Sequence, residues 1–282
     1  MDNIKFAVFI PTHGRADCQL TYKLLRKSGY TGKIFLVVDD EDKELWKYKK
    51  RYSDILLVFN KKEWESRTDT ATNKRGLKSV VFARKFIEEK AKEMGYDFIL
   101  IPDDDINKLS YRFVKDGKLK SKPVNKADRL FEKVIHFMNL GNVAILGFGW
   151  DAGYIGGASG KFKKGLIQGR SCEIIFRNLK VKVNYRSVIN EDMIVNLETS
   201  IKGYPVFELT KVSCNVPKRG TNEGGNNGLY KAYKSEYAIQ FYSIMHFPSC
   251  CYMKTKKGKI QLCTNWKNAI PKILSESHKR LV

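Results

Sequence analysis

Three adjacent aspartates, Asp103 to Asp105, are the strongest chemical signal in the chain. They follow residues 98–101, an apolar run that predicts a buried strand ending at Pro102. Adjacent carboxylates repel one another, and a cation among them favours their ionised form. Because alternate residues of an extended chain share a face, Asp103 and Asp105 are predicted to bind one Mg²⁺ or Mn²⁺ while Asp104 turns away. The competing interpretation is a polar strand exit in which an aspartate caps a helix.

Two arginines close to this segment are candidates for contacts with phosphate. Arg75 and Arg84 flank the start of the helix predicted before the acidic strand. A guanidinium fork suits phosphate oxygens, and Mg²⁺ or Mn²⁺ binds through one or two carboxylates together with substrate phosphates. The combination therefore indicates a site for a substrate that carries a diphosphate, unless both arginines are simply solvated at the surface.

Three more polar clusters occupy residues 11–15, 39–42 and 190–192. In an open α/β sheet, ligands lie beyond the carboxyl ends of the strands. An acid of residues 39–42 is predicted to accept hydrogen bonds from a base or ribose, or else belongs to a solvated turn. Glu191 and Asp192 are candidates for a general base that deprotonates a hydroxyl, or else stabilise the first turn of a helix.

His246 is a candidate third metal ligand, although a lone histidine among apolar residues is more often a core residue with its hydrogen bonds satisfied. The six cysteines are scattered and form no CxxC pair, which indicates free thiols in a reducing compartment. The sequence shows no secretory signal pattern and no apolar run long enough to span a membrane. We therefore expect a cytoplasmic protein.

The strands and helices that position these residues are predicted to alternate along the chain. Short strand–helix–strand intervals predict parallel strands joined by right-handed crossovers, and continuous apolar runs fit a sheet covered on both faces. Residues 61–74 are predicted to be a loop, residues 114–126 a lysine-rich hairpin or loop, and residues 149–169 a glycine-rich loop at a site. The main predicted strands are 4–10, 33–38, 55–59, 97–101, 143–148 and 206–215, and the helices are 19–27, 43–52, 79–94, 127–139 and one from about 191 to 202.

The length and net charge of the chain limit its possible domain organisation and binding partners. The 282 residues fit one α/β domain, predicted at residues 1–215, with an extension at 216–282 that packs on it. A net charge of +22 attracts polyanions, so nucleic acid is the first candidate partner and an anionic membrane surface the second. The alternative is a soluble protein that is merely rich in lysine.

Taken in order, the motifs resemble a known family. Ile10-Pro11-Thr12-His13-Gly14-Arg15, followed by Leu36-Val37-Val38 and an acid, resembles the opening of a GT-A glycosyltransferase. Arg75-Gly76-Leu77, Ala83-Arg84 and Ile101-Pro102-Asp103-Asp104-Asp105-Ile106 are similar to one branch, the TET-associated glycosyltransferase family. That branch is found largely in phages and is linked to sugars on modified DNA bases. The resemblance covers roughly residues 4–210, and Lys85 stands where the branch has Asn.

The resemblance implies a GT-A-like, Rossmann-type and mostly parallel sheet flanked by helices. It also implies that Thr12 and Arg15 line the nucleotide pocket, that Asp40 contacts the nucleoside, and that Asp192, with Glu191 beside it, acts near the acceptor. Residues and resemblance together assign donor binding to Pro11, Thr12, Arg15, Asp40, Arg75, Arg84 and Asp104, the metal to Asp103, Asp105 and His246, and catalysis to Asp192 and Glu191.

The predicted function is transfer of a sugar from a UDP-type nucleotide sugar to a hydroxyl, with Mn²⁺ or Mg²⁺ as cofactor. The favoured acceptor is a 5-hydroxymethylated pyrimidine in DNA, which would place a phage-encoded enzyme in the host cytoplasm. A duplex base must flip out, and Trp150 and Tyr154 of the glycine-rich loop are candidates to assist it.

Two alternatives to this function remain. In the first, the same chemistry acts on a saccharide, lipid or protein acceptor, which predicts only a shallow salt dependence of DNA binding. In the second, the chain is a nucleic-acid-binding protein without catalysis, which Mn²⁺-dependent hydrolysis of a UDP-sugar would exclude.

Overall fold

A mixed sheet of ten strands forms the centre of the part of the molecule that the structure describes. The computed structural model describes residues 4–169, 173–217, 236–256, 259–269 and 276. Its strands are β1 Phe6–Pro11, β2 Ile34–Asp39, β3 Leu56–Phe59, β4 Phe98–Pro102, β5 Lys108–Lys115, β6 Lys118–Pro123, β7 Ile145–Trp150, β8 Leu166–Gln168, β9 Ile174–Asn178, β10 Val206–Asn215, β11 Cys251–Lys256 and β12 Lys259–Thr264. The sheet order is β3-β2-β1-β4-β9-β7-β10-β5-β6 with β8 beside β10, while β11 and β12 form a separate antiparallel pair.

Helices cover both faces of this sheet. Helix α4 supplies one core and helices α1 and α5 supply the other, so the sheet is enclosed between two layers. The α-helices of the described residues are α1 Leu20–Lys27, α2 Leu45–Tyr52, α3 Lys61–Ser66, α4 Val80–Glu93, α5 Ala127–Leu140, α6 Glu191–Ile201, α7 Glu236–His246 and α8 Trp266–Ala269. Within the described residues, no helix is both long and apolar enough to cross a membrane.

The predicted α/β sheet flanked by helices is confirmed. Strands β3, β2, β1 and β4 run parallel, as the alternation of strands and helices predicts. Beyond β4 the sheet becomes mixed, because β9 pairs antiparallel with both β4 and β7, and β5 pairs antiparallel with β10. Since β7 and β10 run parallel, the carboxyl ends of β1, β4, β7 and β10 share one edge of the sheet.

In each central strand, successive side chains enter the two cores in turn, which explains the continuous apolar runs. In β1, Val8 and Ile10 enter one core while Ala7 and Phe9 enter the other. The run 98–101 of β4 divides between the two cores in the same way. A strand buried on both faces needs apolar side chains at every position, so no polar alternation appears in the sequence.

One local prediction is wrong, since part of the loop expected at residues 61–74 is helix α3. Asn60 caps this helix, and its side-chain oxygen accepts a hydrogen bond from the Glu63 backbone N–H at 2.8 Å. The exposed Asp40 also accepts bonds from the Asn60 side chain at 2.8 Å and from the Lys61 N–H at 2.9 Å. The helix is therefore favoured by polar capping rather than by an apolar period.

The described residues of the predicted extension pack against helix α6. Leu197 of α6 is buried with Cys250, Cys251 and Ala269. The Thr264 hydroxyl donates a hydrogen bond to the sulfur of another α6 residue, Met193, at 3.1 Å. The division at residue 215 stays a prediction.

Candidate active site

The three aspartates lie where β4 ends at the common edge of the sheet. Pro102 has no N–H to continue the strand ladder, while the Asp103 N–H still donates to the Glu173 carbonyl at 2.9 Å. The Thr21 hydroxyl holds the Asp103 carbonyl at 2.5 Å and accepts the Ile106 N–H at 2.9 Å. The backbone of the acidic turn is therefore fixed from both sides.

Asp104 points into the protein and is fully engaged by neighbours. One oxygen accepts the Thr12 hydroxyl at 2.7 Å, and the other pairs with the Arg15 guanidinium. The Gln19 amide and the Tyr48 hydroxyl, each 3.1 Å from the Thr12 oxygen, complete this network. Burial raises the pKa of Asp104, while Arg15 and Thr12 act in the opposite direction. The predicted nucleotide-pocket residues Thr12 and Arg15 thus fix the acidic turn directly.

Arg84 lies between two of the predicted site carboxylates. One guanidinium nitrogen is 2.8 Å from an Asp103 oxygen and another is 2.6 Å from a Glu191 oxygen. Its side chain is only 3% exposed. Burial alone would lower the pKa of Arg84, but Glu191 and Asp103 raise it, so the guanidinium stays charged. Arg84, predicted to approach the donor phosphates, thus links the acidic turn to the first turn of α6.

Asp103 and Asp105 have the chemistry that a divalent cation requires. Their side chains are 37% and 27% exposed, and Asp105 lies 3.6 Å from Arg15. Burial raises the pKa of Asp103 well above its usual value; Arg84 lowers it, and the carboxylates of Asp105 and Glu173 raise it further. A bound cation would reverse this penalty on ionisation. These hard oxygen donors fit Mg²⁺ or Mn²⁺.

The described residues contain no set of three His, Cys, Asp or Glu side chains arranged to hold a metal ion alone. His246, at the end of α7 with its ring 6.1 Å from that of Phe247, is therefore not brought together with Asp103 and Asp105 as a third ligand. A metal at these aspartates would take its remaining ligands from substrate phosphates and water.

A second polar cluster follows β1 and β2. His13 Nδ1 lies 2.6 Å from an Asp39 oxygen and 3.5 Å from an Asp42 oxygen, while its Nε2 lies 3.1 Å from the Lys78 ammonium. Burial alone would raise the pKa of Asp39, but the hydrogen bond and charge of His13 and the charge of Lys61 lower it. The inward acid of the Asp39–Asp40 pair is therefore Asp39, whereas Asp40 is exposed.

Two predicted donor residues differ in their surroundings. Pro11 is buried at the end of β1, where it pairs with Val37 of β2. Arg75 is exposed in the segment between α3 and α4 and forms no ion pair with any described carboxylate. Of the predicted phosphate contacts, Arg75 therefore retains an available guanidinium, and Arg84 does not.

Glu191 and Asp192 occupy the first turn of α6. Glu191 is buried, and burial raises the pKa of its carboxyl above the usual value while Arg84 opposes this shift. Asp192 is half-buried, and its backbone carbonyl accepts the Asn196 side chain at 2.6 Å. The two acids therefore divide into one that anchors Arg84 and one that is closer to solvent.

Two aromatic residues lie at the end of β7 and in the loop after it, and they differ in exposure. The Tyr154 ring lies between two cations, Arg112 and Lys161, each 4.8 Å from its centroid, and its hydroxyl donates to the Thr210 carbonyl at 2.8 Å. Gly149 permits this approach, because a Cβ there would collide with the Tyr154 hydroxyl. Trp150 is 44% exposed. Only Trp150 of the two is available for stacking.

Trp150 is the last residue of β7, which runs parallel to β4 with β9 between the two strands. It pairs in the sheet with Cys214 of β10. Burial raises the pKa of the Cys214 thiol, and the charges of Glu173 and Asp103 raise it further. Trp150 therefore stands at the same sheet edge as Asp103.

Several site residues were missed by sequence reasoning. Glu173 is near Asp103 only because β9 returns antiparallel beside β4, and no local signal marks that return. Gln19 and Tyr48 are buried polar partners of Thr12, contributed by separate segments. His13 was part of a recognised motif, but its pairing with Asp39 depends on the register of two strands.

Comparison with known proteins supplies independent findings. The sequence profile of TET-associated glycosyltransferases matches residues 6–225. No curated protein matches the chain in sequence.

Among solved structures, the chain is similar to TarS residues 1–349 of S. aureus, with 14% identity, a TM-score of 0.44 and coverage of 86% of this chain and 66% of that one. It is also similar to GalNAc-T7 with UDP, GalNAc and Mn²⁺, with 12% identity, a TM-score of 0.49 and coverage of 87% and 51%. A third is glucosyl-3-phosphoglycerate synthase from Mycobacterium tuberculosis with Mg²⁺ and UDP, with 9% identity, a TM-score of 0.46 and coverage of 93% and 87%.

The chain thus spans 66% of the TarS structure and 51% of GalNAc-T7. At TM-scores below 0.5, these likenesses carry no information about site residues or substrates. The family profile, in contrast, covers most of the 282 residues, including the acidic turn and the start of α6. The chain therefore belongs to the TET-associated glycosyltransferase family.

Proposed function

We propose that this glycosyltransferase moves a sugar from a UDP-type nucleotide sugar to the hydroxyl of a 5-hydroxymethylated pyrimidine in DNA. The observation that carries the proposal is the arrangement of Asp103, Arg84 and the first turn of α6 at one sheet edge. Carboxylates suited to a divalent cation there adjoin a carboxylate suited to proton transfer. A metal-assisted direct displacement at a sugar diphosphate uses both.

On the donor side, Asp103 and Asp105 would hold Mn²⁺ or Mg²⁺, which when bound neutralises the charge of the diphosphate leaving group. Arg15, partly exposed beside Asp105, and the exposed Arg75 supply cationic contacts for phosphate oxygens. Asp39 ends β2 and Asp40 follows it at the same edge, and both offer acceptors to a ribose or base.

On the acceptor side, Asp192 is the proposed base. In a direct displacement, the acceptor oxygen bonds to the anomeric carbon as the bond from that carbon to the phosphate oxygen breaks. The hydroxyl proton passes to the Asp192 carboxylate, and the nucleoside diphosphate leaves. Glu191 is engaged with Arg84 at 2.6 Å, so its proposed role is to hold Arg84 and orient the turn rather than to take the proton.

DNA as the acceptor is supported by charge and by one aromatic residue. The net charge of +22 favours a phosphate polymer. The exposed Trp150 offers a face on which a flipped base stacks. Tyr154, predicted to share this role, is instead held between Arg112 and Lys161.

The function is tested by incubating the protein with Mn²⁺, a panel of nucleotide sugars and DNA with or without 5-hydroxymethylated pyrimidines. Mass spectrometry of the digested nucleosides identifies donor and acceptor together. We expect a sugar on the hydroxymethylated nucleoside only, and only with the metal. Donor turnover with no labelled nucleoside, together with transfer to an added saccharide, would overturn the DNA acceptor while leaving the donor chemistry intact.

Replacing Asp192 by Asn is expected to lower the rate of sugar transfer by about 100- to 10,000-fold, because a positioned base contributes about that factor. Donor binding and Mn²⁺ affinity should stay near those of the wild type, since the amide keeps the shape of the turn. Glu198→Gln, an acid of the same helix paired with Lys202, is the matched control. A rate equal to that control would show that another group takes the proton.

Replacing Trp150 by Ala is expected to lower kcat/KM for the DNA acceptor by about 5- to 150-fold, since stacking of a base on an aromatic residue is worth about 1–3 kcal/mol. The slow hydrolysis of donor without acceptor should not change. Trp46→Ala removes another exposed tryptophan, on α2, and should have no effect. Trp150→Phe should restore most of the loss; equal rates in Trp150→Ala and Trp46→Ala would refute stacking here.

A further inference from the structure

A cationic groove lies between the β5–β6 hairpin and helix α5, and its described lining residues include none of those assigned above. It encloses about 570 Å³. One wall carries Tyr111 and Lys122, which face each other across the hairpin ladder, with the Lys122 ammonium 5.9 Å from the ring. The other wall carries Lys126, Arg129 and Lys133, and none of the described residues that line the groove is a carboxylate.

Two of the three cations on the helix wall have the spacing of neighbours on one helical face. Arg129 and Lys133 lie four residues apart on α5, and Lys126 is the N-cap residue just before the helix; all three line the groove. Like charges at this spacing destabilise a helix by themselves. The neighbouring acid Asp128 points elsewhere, since its oxygens bind the Thr31 N–H at 2.9 Å and the Thr31 hydroxyl at 2.8 Å.

The charge of this groove is not compensated within the part of the chain that the structure describes. None of Lys122, Lys126, Arg129 and Lys133 forms an ion pair with a described carboxylate. Some surface cations elsewhere are paired, as Lys47 is with Asp17 at 2.7 Å, so pairing is possible where a carboxylate is near. A row of unpaired cations is stabilised when an anionic ligand binds, and an extended row fits a ligand with repeated anionic groups.

We propose that this groove binds the sugar–phosphate backbone of the DNA whose base is modified. The inference deepens the proposed function and rests on it for the choice of DNA. A concave wall of cations with one aromatic residue is the arrangement that follows a single nucleic acid strand. An anionic membrane, in contrast, is contacted by a protruding basic and apolar surface.

The test compares two variants of equal charge in the full chain. The groove variant combines Lys126→Gln, Arg129→Gln and Lys133→Gln. The control combines Lys49→Gln, Lys50→Gln and Lys92→Gln, at exposed positions on α2 and α4. Affinity for an unmodified single-stranded oligonucleotide is measured against salt concentration, without donor.

We expect the slope of log affinity against log salt to fall by about 2 in the groove variant, at about 0.7 per lost phosphate contact on a single strand. At roughly 0.1 M salt this corresponds to about 100-fold weaker binding. The control should keep the wild-type slope. Equal slopes in the two variants would overturn the proposal, as would loss of binding to phosphatidylserine vesicles with DNA binding retained.

A second measurement needs no variant. Acetylation of lysines in the wild-type protein, with and without the oligonucleotide, should show protection of Lys122, Lys126 and Lys133 and none of Lys49 or Lys92. Uniform reactivity would also overturn the groove. Failure of the groove is distinguishable from failure of the proposed function, because sugar transfer to a free hydroxymethylated nucleoside, which lacks the phosphate backbone, requires the active site alone.

Discussion

Mn²⁺-dependent release of nucleoside diphosphate from the donor is expected to fall by about 1,000-fold or more when Asp103 and Asp105 are both replaced by Asn. The two carboxylates lie at the end of β4, partly exposed, with Asp104 between them turned inward to Thr12 and Arg15. Charge neutralisation by a metal is worth several kcal/mol at a phosphate leaving group, and each 1.4 kcal/mol is about tenfold in rate.

The amide substitutions keep the shape of the side chains, so the fold should survive. Arg84 retains its contact with Glu191 at 2.6 Å, and Asp104 keeps its partners. Mn²⁺ affinity, measured by calorimetry, should fall together with turnover. Asp54→Asn with Asp116→Asn removes the same charge at exposed positions and should leave both unchanged. If the site variant binds and uses Mn²⁺ as this control does, the donor mechanism proposed here is wrong.

The strands that carry this site were predictable because burial on both faces leaves a simple pattern. Runs such as residues 98–101 admit only apolar side chains, and the acids follow at once where the strand leaves the core. The adjacency of Glu173 to Asp103 was not predictable, because it depends on β9 entering antiparallel between β4 and β7. Strands that pair in the sheet but are distant in sequence produce no local sequence pattern that predicts the pairing.

The sequence also did not indicate which member of an acidic pair faces inward. Asp39 is buried against His13 and Asp40 is exposed beside Asn60, although the two are neighbours after the same strand. The outcome depends on how the turn leaves β2. The same limit applies to Trp150 and Tyr154, whose environments differ through contacts from Arg112 and Lys161.

Arg84 is different, because the sequence contained a signal for its burial. Val81, Arg84, Glu88 and Ala91 share one helical face, so a basic and an acidic residue stand on the apolar side of α4. Charged residues on a buried face are expected to be paired. Glu88 pairs with the buried Arg177 at 2.6 Å, and Arg84 pairs with Asp103 and Glu191.

Replacing Arg84 by Met is therefore expected to lower the free energy of unfolding by about 3–5 kcal/mol, the usual cost of leaving a buried charge without its partner. Arg177→Met is the matched control, since Arg177 is equally buried and its contact with Glu88 is of the same length, 2.6 Å. Both variants should lose similar stability in urea unfolding. Arg84→Met with Glu191→Gln should recover part of the loss, because the unpaired carboxylate is gone.

The two variants are expected to differ in their affinity for Mn²⁺. This difference distinguishes a residue that positions the site from one that only stabilises the fold. Without Arg84, the carboxylate of Asp103 loses a cation 2.8 Å away, so its attraction for Mn²⁺ grows by at least about tenfold when the pH is high enough to keep the carboxylates ionised. Turnover should nevertheless fall, because Asp103 and the first turn of α6 are no longer held together. In Arg177→Met the Mn²⁺ affinity should equal that of the wild type. Unchanged Mn²⁺ affinity in Arg84→Met would mean that Arg84 stabilises the fold without acting on the metal site.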